Sequence, residues 1–318
     1  MSVLFNSTRP LGRCENLTAV WNAYTGSKSF ARGGYVDVSI HCEDVIVTDE
    51  FVRAKRPDQK VVMIAHGLTG GKLYGRDQAR GIFASDPDTC SLVDYYVTSS
   101  EYGRKFASSA SGIPIERCIP LGMPRTDAYF GKSKGDGGTF LAGYSRAYLY
   151  APTFRAHYDE PVRDIDWLRV SMMLEPDEMI AVKRHMITRG NAVRWQLANI
   201  IEVDPQDPST PYLIDCDVLA TDFSSILFDG YVLGKPSVLT ADEHDSYLKT
   251  RGMYMRYPSG YGSRAVPMGG YEEMFVENLR AAHVTGMRHA ERECLEKTAG
   301  ACDGHSTERV VEFVRSLL

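Results

Sequence analysis

Residues 217–229, DVLATDFSSILFD, contain the pattern that decides the fold of this chain. The apolar run Val218–Thr221 predicts a short buried strand. A helix pattern follows over Ser224–Leu233 and ends at Gly234 and Pro236. A buried strand that runs directly into a helix is typical of a parallel α/β layer.

Similar strand patterns alternate with helix patterns along the rest of the chain. Thr98 and Glu101 have the spacing of a capping box, which predicts a helix that runs to Ser111 and stops at Gly112. The alternation predicts an α/β fold with parallel sheets. The further predicted strands are Asp44–Val47, Val61–Ala65, Tyr95–Val97, Tyr148–Ala151, Met179–Val182, Tyr212–Ile214 and Ser237–Thr240.

The length of the chain predicts two domains. Its 318 residues exceed what one hydrophobic core usually serves, and 43% hydrophobic with 24% charged residues is an ordinary globular composition. Residues 130–143 are rich in Gly and Lys and predict a linker. We therefore expect a first domain over 1–130, a second over 131–304 and a closing helix over 305–318.

Charge and cysteine usage exclude several classes of function. A net charge of −5 argues against nucleic-acid binding, which requires a basic surface. The seven scattered cysteines form no C-x-x-C pair and indicate reduced thiols, not a disulfide framework or a zinc site. The N-terminal residues lack the apolar core of a secretory signal, and no stretch is apolar enough to span a bilayer. We therefore expect a cytoplasmic protein.

Candidate ligand-binding residues directly follow four of the predicted strands. Open α/β sheets bind ligands beyond the carboxyl ends of their strands. Imidazole, guanidinium, ammonium and hydroxyl groups at these positions suit an anionic phosphate ligand. The residues are His66 and Gly67 after Val61–Ala65, Arg155 after Tyr148–Ala151, Lys183 and His185 after Met179–Val182, and Asp222, Ser224 and Ser225 after Val218–Thr221.

Each of these residues also has an interpretation that needs no ligand. Asp222–Ser225 is a common helix cap, His66 is compatible with a strand-end histidine bonded to a carbonyl, and the basic residues with a solvated turn. Gly67–Lys72 is glycine-rich but lacks the spacing of a P-loop. Asp215-Cys216-Asp217 looks like a D-x-D metal motif, but it precedes a buried strand. We therefore interpret Asp217 as a structural carboxylate and predict no metal and no cofactor.

Several blocks together resemble the CDP-glycerol glycerophosphotransferases, the family of the teichoic acid polymerases and primases. Residues 217–229 resemble that family's D-x-L-I-T-D-Y-S-S-x-x-F-D signature. The resemblance spans roughly residues 5 to 257. The other blocks are Asn16–Tyr24, His66-Gly67, Thr98–Tyr102, Gly122–Asp127, Leu149–Arg155, Lys183–His185, Lys235-Pro236, Tyr247 and Arg251-Gly252.

The resemblance implies a GT-B architecture of two Rossmann-like domains that face each other across a cleft. It implies transfer of a polyol phosphate from CDP-glycerol or CDP-ribitol to a hydroxyl of a polyol-phosphate, glycan or other acceptor, with release of CMP. Carried over by position, it assigns catalysis to His66 and His185. It assigns the donor diphosphate to Arg155, Lys183, Ser224 and Ser225, and the donor or acceptor cleft to Gly67, Lys72, Arg125, Asp127, Asp222 and Asp229.

The chain departs from the family pattern after His66. The family reads H-G-T-P-x-K at this place, whereas this chain reads H-G-L-T-G-G-K, so the acceptor and the role of Lys72 stay open. Peripheral membrane contact is also open. Two alternatives remain, namely a GT-B glycosyltransferase or epimerase that uses a UDP-sugar, and a catalytically silent nucleotide-binding protein.

Overall fold

The chain forms two compact units in a computed structural model, which describes residues 2–33, 36–64, 71–77, 87–153, 165–185, 196–240, 252–266 and 271–318. The first unit contains the described residues of 2–130, together with residues 252–254 and 295–318. The second contains the described residues of 131–240 and 255–294. In each unit a mainly parallel sheet carries the core, which confirms the predicted α/β class.

The first unit is built on a parallel sheet in the order β2-β1-β3-β4-β5-β6. Its strands are near-continuous apolar runs because both faces of a parallel sheet are covered. Val3, Leu4 and Phe5 on the first strand are accordingly all buried. The strands are β1 Val3–Ser7, β2 Lys28–Arg32, β3 Val45–Thr48, β4 Lys60–Ile64, β5 Tyr95–Val97 and β6 Cys118–Ile119.

Helices α1 (Glu15–Ala23), α2 (Pro87–Cys90) and α3 (Arg104–Ser111) also belong to this unit. Helix α3 ends where the sequence predicts, at Gly112, whose φ of 77° is left-handed and suits glycine. The predicted capping box was wrong, because the hydroxyl of Thr98 donates to the carbonyl of Ser100. The Ser100 hydroxyl instead accepts the N–H of Gly103 at 3.0 Å, so the helix begins later than the sequence suggests.

The second unit has a sheet in the order β13-β12-β11-β7-β8-β10-β9, parallel except for β9. The predicted strand Val218–Thr221 is confirmed with the same bounds. The strands are β7 Arg146–Tyr150, β8 Glu178–Val182, β9 Gln196–Leu197, β10 Ile200–Glu202, β11 Val218–Thr221, β12 Ser237–Leu239 and β13 Arg264–Ala265. The helices are α4 Trp167–Met173, α5 Thr210–Asp215, α6 Ile226–Val232 and α7 Tyr271–Thr285.

The predicted strand Tyr212–Ile214 was wrong, because these residues lie in α5. Pro211 is in the first turn of that helix, where a missing N–H costs nothing. A three-residue apolar run cannot be distinguished from a helix segment by its periodicity. The partner of this helix is the Gly-rich segment 130–143, since Asp215 accepts the N–H groups of Gly135, Gly137 and Thr139 at 2.7–2.9 Å.

The last two helices are α8 (His289–Ala299) and α9 (Ser306–Ser316), the second of which confirms the helix expected near the C-terminus. The units divide between Phe130 and Gly131, the place of the expected boundary. Residues 252–254 and 295–304 group with the first unit, however, and not with the rest of the expected second domain. Backbone contacts explain this grouping, since the Ala301 N–H donates to the Ser99 carbonyl at 2.9 Å.

Asp127 holds the start of α9 against the first unit. Its carboxylate accepts the N–H of Ser306 at 3.0 Å and that of Thr307 at 2.6 Å. Two of the donors that a helix start leaves without intrahelical partners are thus satisfied by a residue far away in sequence. The negative charge also suits the positive end of the helix dipole.

Replacing Asp127 by alanine is expected to lower the free energy of unfolding by about 0.5–2 kcal/mol, the usual cost of losing a helix cap. Urea unfolding followed by circular dichroism measures this difference. Asp58→Ala is the matched control, because the Asp58 side chain is 68% exposed. Equal stability of the two variants would contradict the capping role.

Candidate functional site

The candidate site lies at the switch point of the second unit's sheet, between β7 and β11. The chain leaves β7 for β8 on one side and later returns to β11 on the other side. Connections that diverge in this way leave a crevice at the carboxyl ends of the two strands, which is where open α/β sheets bind ligands.

Hydrogen bonds tie the two strand ends at this crevice together. The hydroxyl of Thr221 donates to the Ala151 carbonyl at 2.7 Å. One residue further along, the carboxylate of Asp222 accepts the N–H of Thr153 at 2.8 Å. Thr153 and Asp222 are both buried, so this bond is shielded from water. Asp222 therefore fixes the start of the loop that follows β7.

Ser224 and Ser225 lie where this crevice meets the start of α6. Ser225 is exposed and occupies the N-cap position, but its side chain makes no capping bond. In the part of the chain that the structure describes, neither serine hydroxyl has a hydrogen-bond partner. Two hydroxyl donors beside the first turn of a helix are suited to binding the oxygens of an anion.

Lys183 directly follows β8, the strand next to β7. Its ammonium group is buried and donates to the carbonyls of Pro205 at 3.0 Å and Arg184 at 3.2 Å. Burial lowers the pKa of Lys183, and the nearby carboxylates of Asp207 and Asp204 oppose that shift. Two of its three N–H donors thus have acceptors among the described residues, and within that part of the chain the third has none and is suited to a ligand.

His185 is half-buried two residues beyond Lys183. Arg184, between them, pairs with the buried Glu202 of β10 at 2.9 Å. That pairing accounts for Arg184 as a structural residue. Asp229 is buried on α6, and its carbonyl accepts the N–H of Leu233.

The structure places the other predicted cleft residues in the first unit. Lys72 forms a bridge with Met253, one of the residues that return to this unit. The guanidinium of Arg125 lies 3.8 Å from the carboxylate of Glu15, the first residue of α1. Asp127 caps α9, as described above. His66, Gly67 and Arg155 lie outside the described residues, so their predicted roles rest on sequence.

Sequence reasoning missed the part played by Thr153. The residue stands in the block Leu149–Arg155, but what it contributes is a backbone N–H. No side-chain pattern marks such a contribution. From the sequence, Thr153 could be recognised only as a loop residue that follows a predicted strand.

Asp217 proved to be the structural carboxylate that the sequence predicted. It accepts the N–H of Ala147 at 2.8 Å and the ammonium of Lys134 at 2.6 Å. Among the described residues, no group of three or more His, Cys, Asp or Glu side chains is arranged to hold a metal ion. Within the same residues, no helix combines the length and the apolarity that crossing a bilayer requires.

Curated relatives of this chain act in teichoic acid synthesis. The teichoic acid ribitol-phosphate primase of Bacillus spizizenii is 24% identical over 290 residues, which cover 84% of this chain and 72% of the relative. The glycerol-phosphate primase of Bacillus subtilis is 23% identical, with 86% of this chain and 74% of the relative covered. The ribitol-phosphate polymerase TarK of Staphylococcus aureus is 28% identical, but the match covers only 43% of that longer protein.

Solved structures show the same fold. The wall teichoic acid polymerase TagF aligns with a TM-score of 0.75 at 16% identity, covering 99% of this chain and 88% of that chain. The UDP-GlcNAc 2-epimerase of Neisseria meningitidis aligns with a TM-score of 0.62 at 13% identity over 99% of this chain and 100% of that one. These similarities confirm the predicted GT-B-like class of two Rossmann-like domains.

The family assignment comes from the sequence. The family model described as CDP-Glycerol:Poly(glycerophosphate) glycerophosphotransferase matches residues 34–316, which is most of the chain. Its range includes the strand β11, the serine pair and Lys183, whose geometry is given above. This chain therefore belongs to the CDP-glycerol:poly(glycerophosphate) glycerophosphotransferase family.

Proposed function

We propose that this chain transfers glycerol phosphate, or a related polyol phosphate, from a CDP-activated donor to an acceptor hydroxyl. The acceptor oxygen attacks the phosphorus that carries the polyol, a new P–O bond forms, and the bond to CMP breaks. The acceptor proton passes to a base and CMP leaves as the anion. Such phosphoryl-type transfers require in-line positioning and stabilisation of charge rather than covalent chemistry by the protein.

The observation that carries this proposal is the position of the donors at the carboxyl ends of three neighbouring strands of the second unit, β8, β7 and β11. The serine pair at the start of α6 and the remaining N–H of Lys183 flank the strand ends that Asp222 ties to Thr153. Their combination provides hydroxyl and ammonium donors at one edge of a sheet. A diphosphate has the charge and the acceptor oxygens that match such donors.

The proposal gives each predicted residue a role. His66 acts as the general base or orients the acceptor hydroxyl. Lys183, Arg155, Ser224 and Ser225 bind the diphosphate, and His185 stabilises the charge that develops on the leaving CMP. Because nucleotide-activated donors are made inside the cell, the proposed reaction also places the chain in the cytoplasm.

The proposed acceptor is a hydroxyl of a polyol phosphate. The curated relatives named above are a primase of ribitol phosphate, a primase of glycerol phosphate and a polymerase of ribitol phosphate. A polyol-phosphate chain is therefore the first acceptor to test, in lengths from one unit upward. CDP-glycerol and CDP-ribitol are the two donors to compare.

Donor choice is tested directly by ligand binding and product release. A ligand that binds only the folded state raises the melting temperature, so CDP-glycerol and CDP-ribitol are expected to stabilise the chain and UDP-GlcNAc is not. CMP release in the presence of a polyol-phosphate acceptor then tests turnover. Stabilisation by UDP-GlcNAc alone would support the UDP-sugar alternative instead. Binding of CDP-glycerol without CMP release from any acceptor would support a silent nucleotide-binding protein.

The double substitution Ser224→Ala/Ser225→Ala is expected to raise the KM for the CDP-activated donor about tenfold, since each lost hydroxyl removes about 0.5–1.5 kcal/mol of hydrogen bonding. The melting temperature should change little, because neither hydroxyl has a partner among the described residues. Steady-state CMP release measures the change. Ser316→Ala, on the exposed face of α9, is the control. An unchanged KM would remove the serine pair from the donor site.

A further inference from the structure

The two units repeat one strand motif at the same place in their sheets. Residues 44–49 read DVIVTD and residues 217–222 read DVLATD, so four of the six positions are identical. The first motif forms β3, which lies beside β1, and the second forms β11, which lies beside β7. Because β1 and β7 are the first strands of their sheets, both motifs border the switch point of their own unit.

The first aspartate of each motif makes the same contact. Asp44 accepts the N–H of Ser2 at 3.2 Å, and Asp217 accepts that of Ala147 at 2.8 Å. Ser2 and Ala147 stand at the start of β1 and β7. The repetition is therefore one of structure as well as of sequence, and it makes β1 and β3 of the first sheet equivalent to β7 and β11 of the second.

The second aspartate of each motif also makes a corresponding contact. Asp222 accepts the N–H of Thr153 in the loop after β7. Asp49 accepts the hydroxyl of Ser7 at the end of β1, at 3.0 Å. Both aspartates are buried, and each holds the segment that leaves the first strand of its unit.

This contact in the first unit continues to Arg9. The Ser7 hydroxyl donates to Asp49 and accepts the N–H of Arg9 at 3.0 Å, so it relays the position of the carboxylate to the loop. The side chains of Arg9 and Arg13 are exposed and, within the described part of the chain, form no hydrogen bond or ion pair. In the second unit, Arg155 likewise stands two residues after the anchored Thr153.

Buried polar groups at this edge support a positioning role. The side chains of Asn6, Ser7, Thr48 and Asp49 are all buried at the ends of β1 and β3. Asn6 donates to the Thr48 hydroxyl at 3.3 Å, which adds a second bond across the switch point. A strand end that served only the core would not need four polar side chains, because each one is costly to bury.

We propose that the loop after β1 is a second phosphate site, in which Arg9 binds a phosphodiester of the polyol-phosphate acceptor and Ser7 and Asp49 hold it in place. The choice of acceptor rests on the proposed function, which assigns the donor diphosphate to the corresponding strand ends of the second unit. The loop precedes residue 34, where the match to the family model begins. The family model therefore assigns no residue of this loop to a function.

Isothermal titration of the full chain with a synthetic glycerol phosphate trimer tests the site without requiring turnover. Arg9→Gln is expected to weaken trimer binding about 10- to 100-fold, the effect of losing a charge-assisted hydrogen bond. CDP-glycerol affinity should change less than about twofold. The matched control is Arg53→Gln, which removes another exposed arginine of the first unit.

The substitution Ser7→Ala tests the positioning role of Ser7 without changing the charge of the proposed phosphate site. With all arginines retained, it should raise the KM for the trimer and leave kcat and the KM for the donor unchanged. The melting temperature should fall, because the buried carboxylate of Asp49 loses the Ser7 donor, so the kinetics are measured well below it. Raising the ionic strength should weaken trimer binding in the wild type and much less in Arg9→Gln.

Three results would overturn the proposal. They are no trimer binding by the wild type, the same loss in Arg53→Gln as in Arg9→Gln, or an equal loss of CDP-glycerol binding in Arg9→Gln. Failure of the proposed transferase function can be distinguished from failure of the proposed phosphate site. The first would appear as absence of CMP release, and the second is measured by trimer affinity, which does not require turnover.

Discussion

Replacing His66 by alanine is expected to lower kcat by about 10²–10⁴-fold, which is the usual contribution of one positioned general base. The dissociation constant of CDP-glycerol should stay within about twofold, because the donor groups proposed here lie on the second unit and His66 is proposed to act on the acceptor proton. A base that acts only on the reacting hydroxyl contributes to the transition state and not to donor binding.

Single-turnover CMP release and calorimetric titration of CDP-glycerol measure the two quantities independently. His289→Ala is the matched control, since the His289 side chain is 88% exposed and no catalytic role is proposed for it. If His66→Ala lost donor affinity and rate by equal factors, His66 would be a donor-site residue and another group would have to take the proton.

Replacing Glu178 by alanine is expected to cause the largest loss of stability, about 3 kcal/mol in the free energy of unfolding. This carboxylate is fully buried at the start of β8 and accepts from Arg280 at 2.6 Å and from Tyr148 at 2.9 Å. Arg146 lies 3.1 Å away on β7. The loss should fall at the lower end of the range for broken buried pairs, because both arginines are partly exposed and regain water.

Chemical unfolding at pH 7 measures the loss. Glu312→Ala is the control, because Glu312 is exposed on α9 and substitutions at such positions usually change stability by less than about 0.5 kcal/mol. A Glu178→Ala variant as stable as this control would show that the ionic cluster contributes nothing to folding.

The same residue predicts how stability depends on pH. Burial alone would raise the pKa of Glu178, but hydrogen bonds from Arg280, the Glu175 amide and Tyr148 together bring the pKa below its ordinary 4.5. The folded protein therefore holds this proton more weakly than the unfolded chain does. The stabilisation is complete above pH 4.5 and is lost as the pH falls through the lowered pKa. Glu178→Gln should make acid unfolding less steep in that range, and an unchanged pH dependence would contradict this assignment.

Several features of the fold and of the candidate site could be predicted from the sequence, because they leave a local pattern. Val218–Thr221 was predicted with its observed bounds, because a buried strand between a turn and a helix start leaves a strong local pattern. The end of α3 at Gly112 was also predicted, because a helix often ends at a residue with left-handed backbone angles, and glycine adopts these angles most easily. Lys183 and Ser224 were recognised as candidates because ligand sites follow strand ends.

The sequence by itself determined the α/β class, the family and the strand ends where a phosphate ligand is expected, since these depend on local periodicity and on motifs read in order. Only the tertiary structure decided which polar groups meet. It assigned Asp127 to the start of α9, joined Asp222 to Thr153, and made Asp49 and Asp222 counterparts in two sheets. The physical reason is that a hydrogen bond depends on distance and direction in space. Partners 69 residues apart, as Thr153 and Asp222 are, leave no local pattern along the chain.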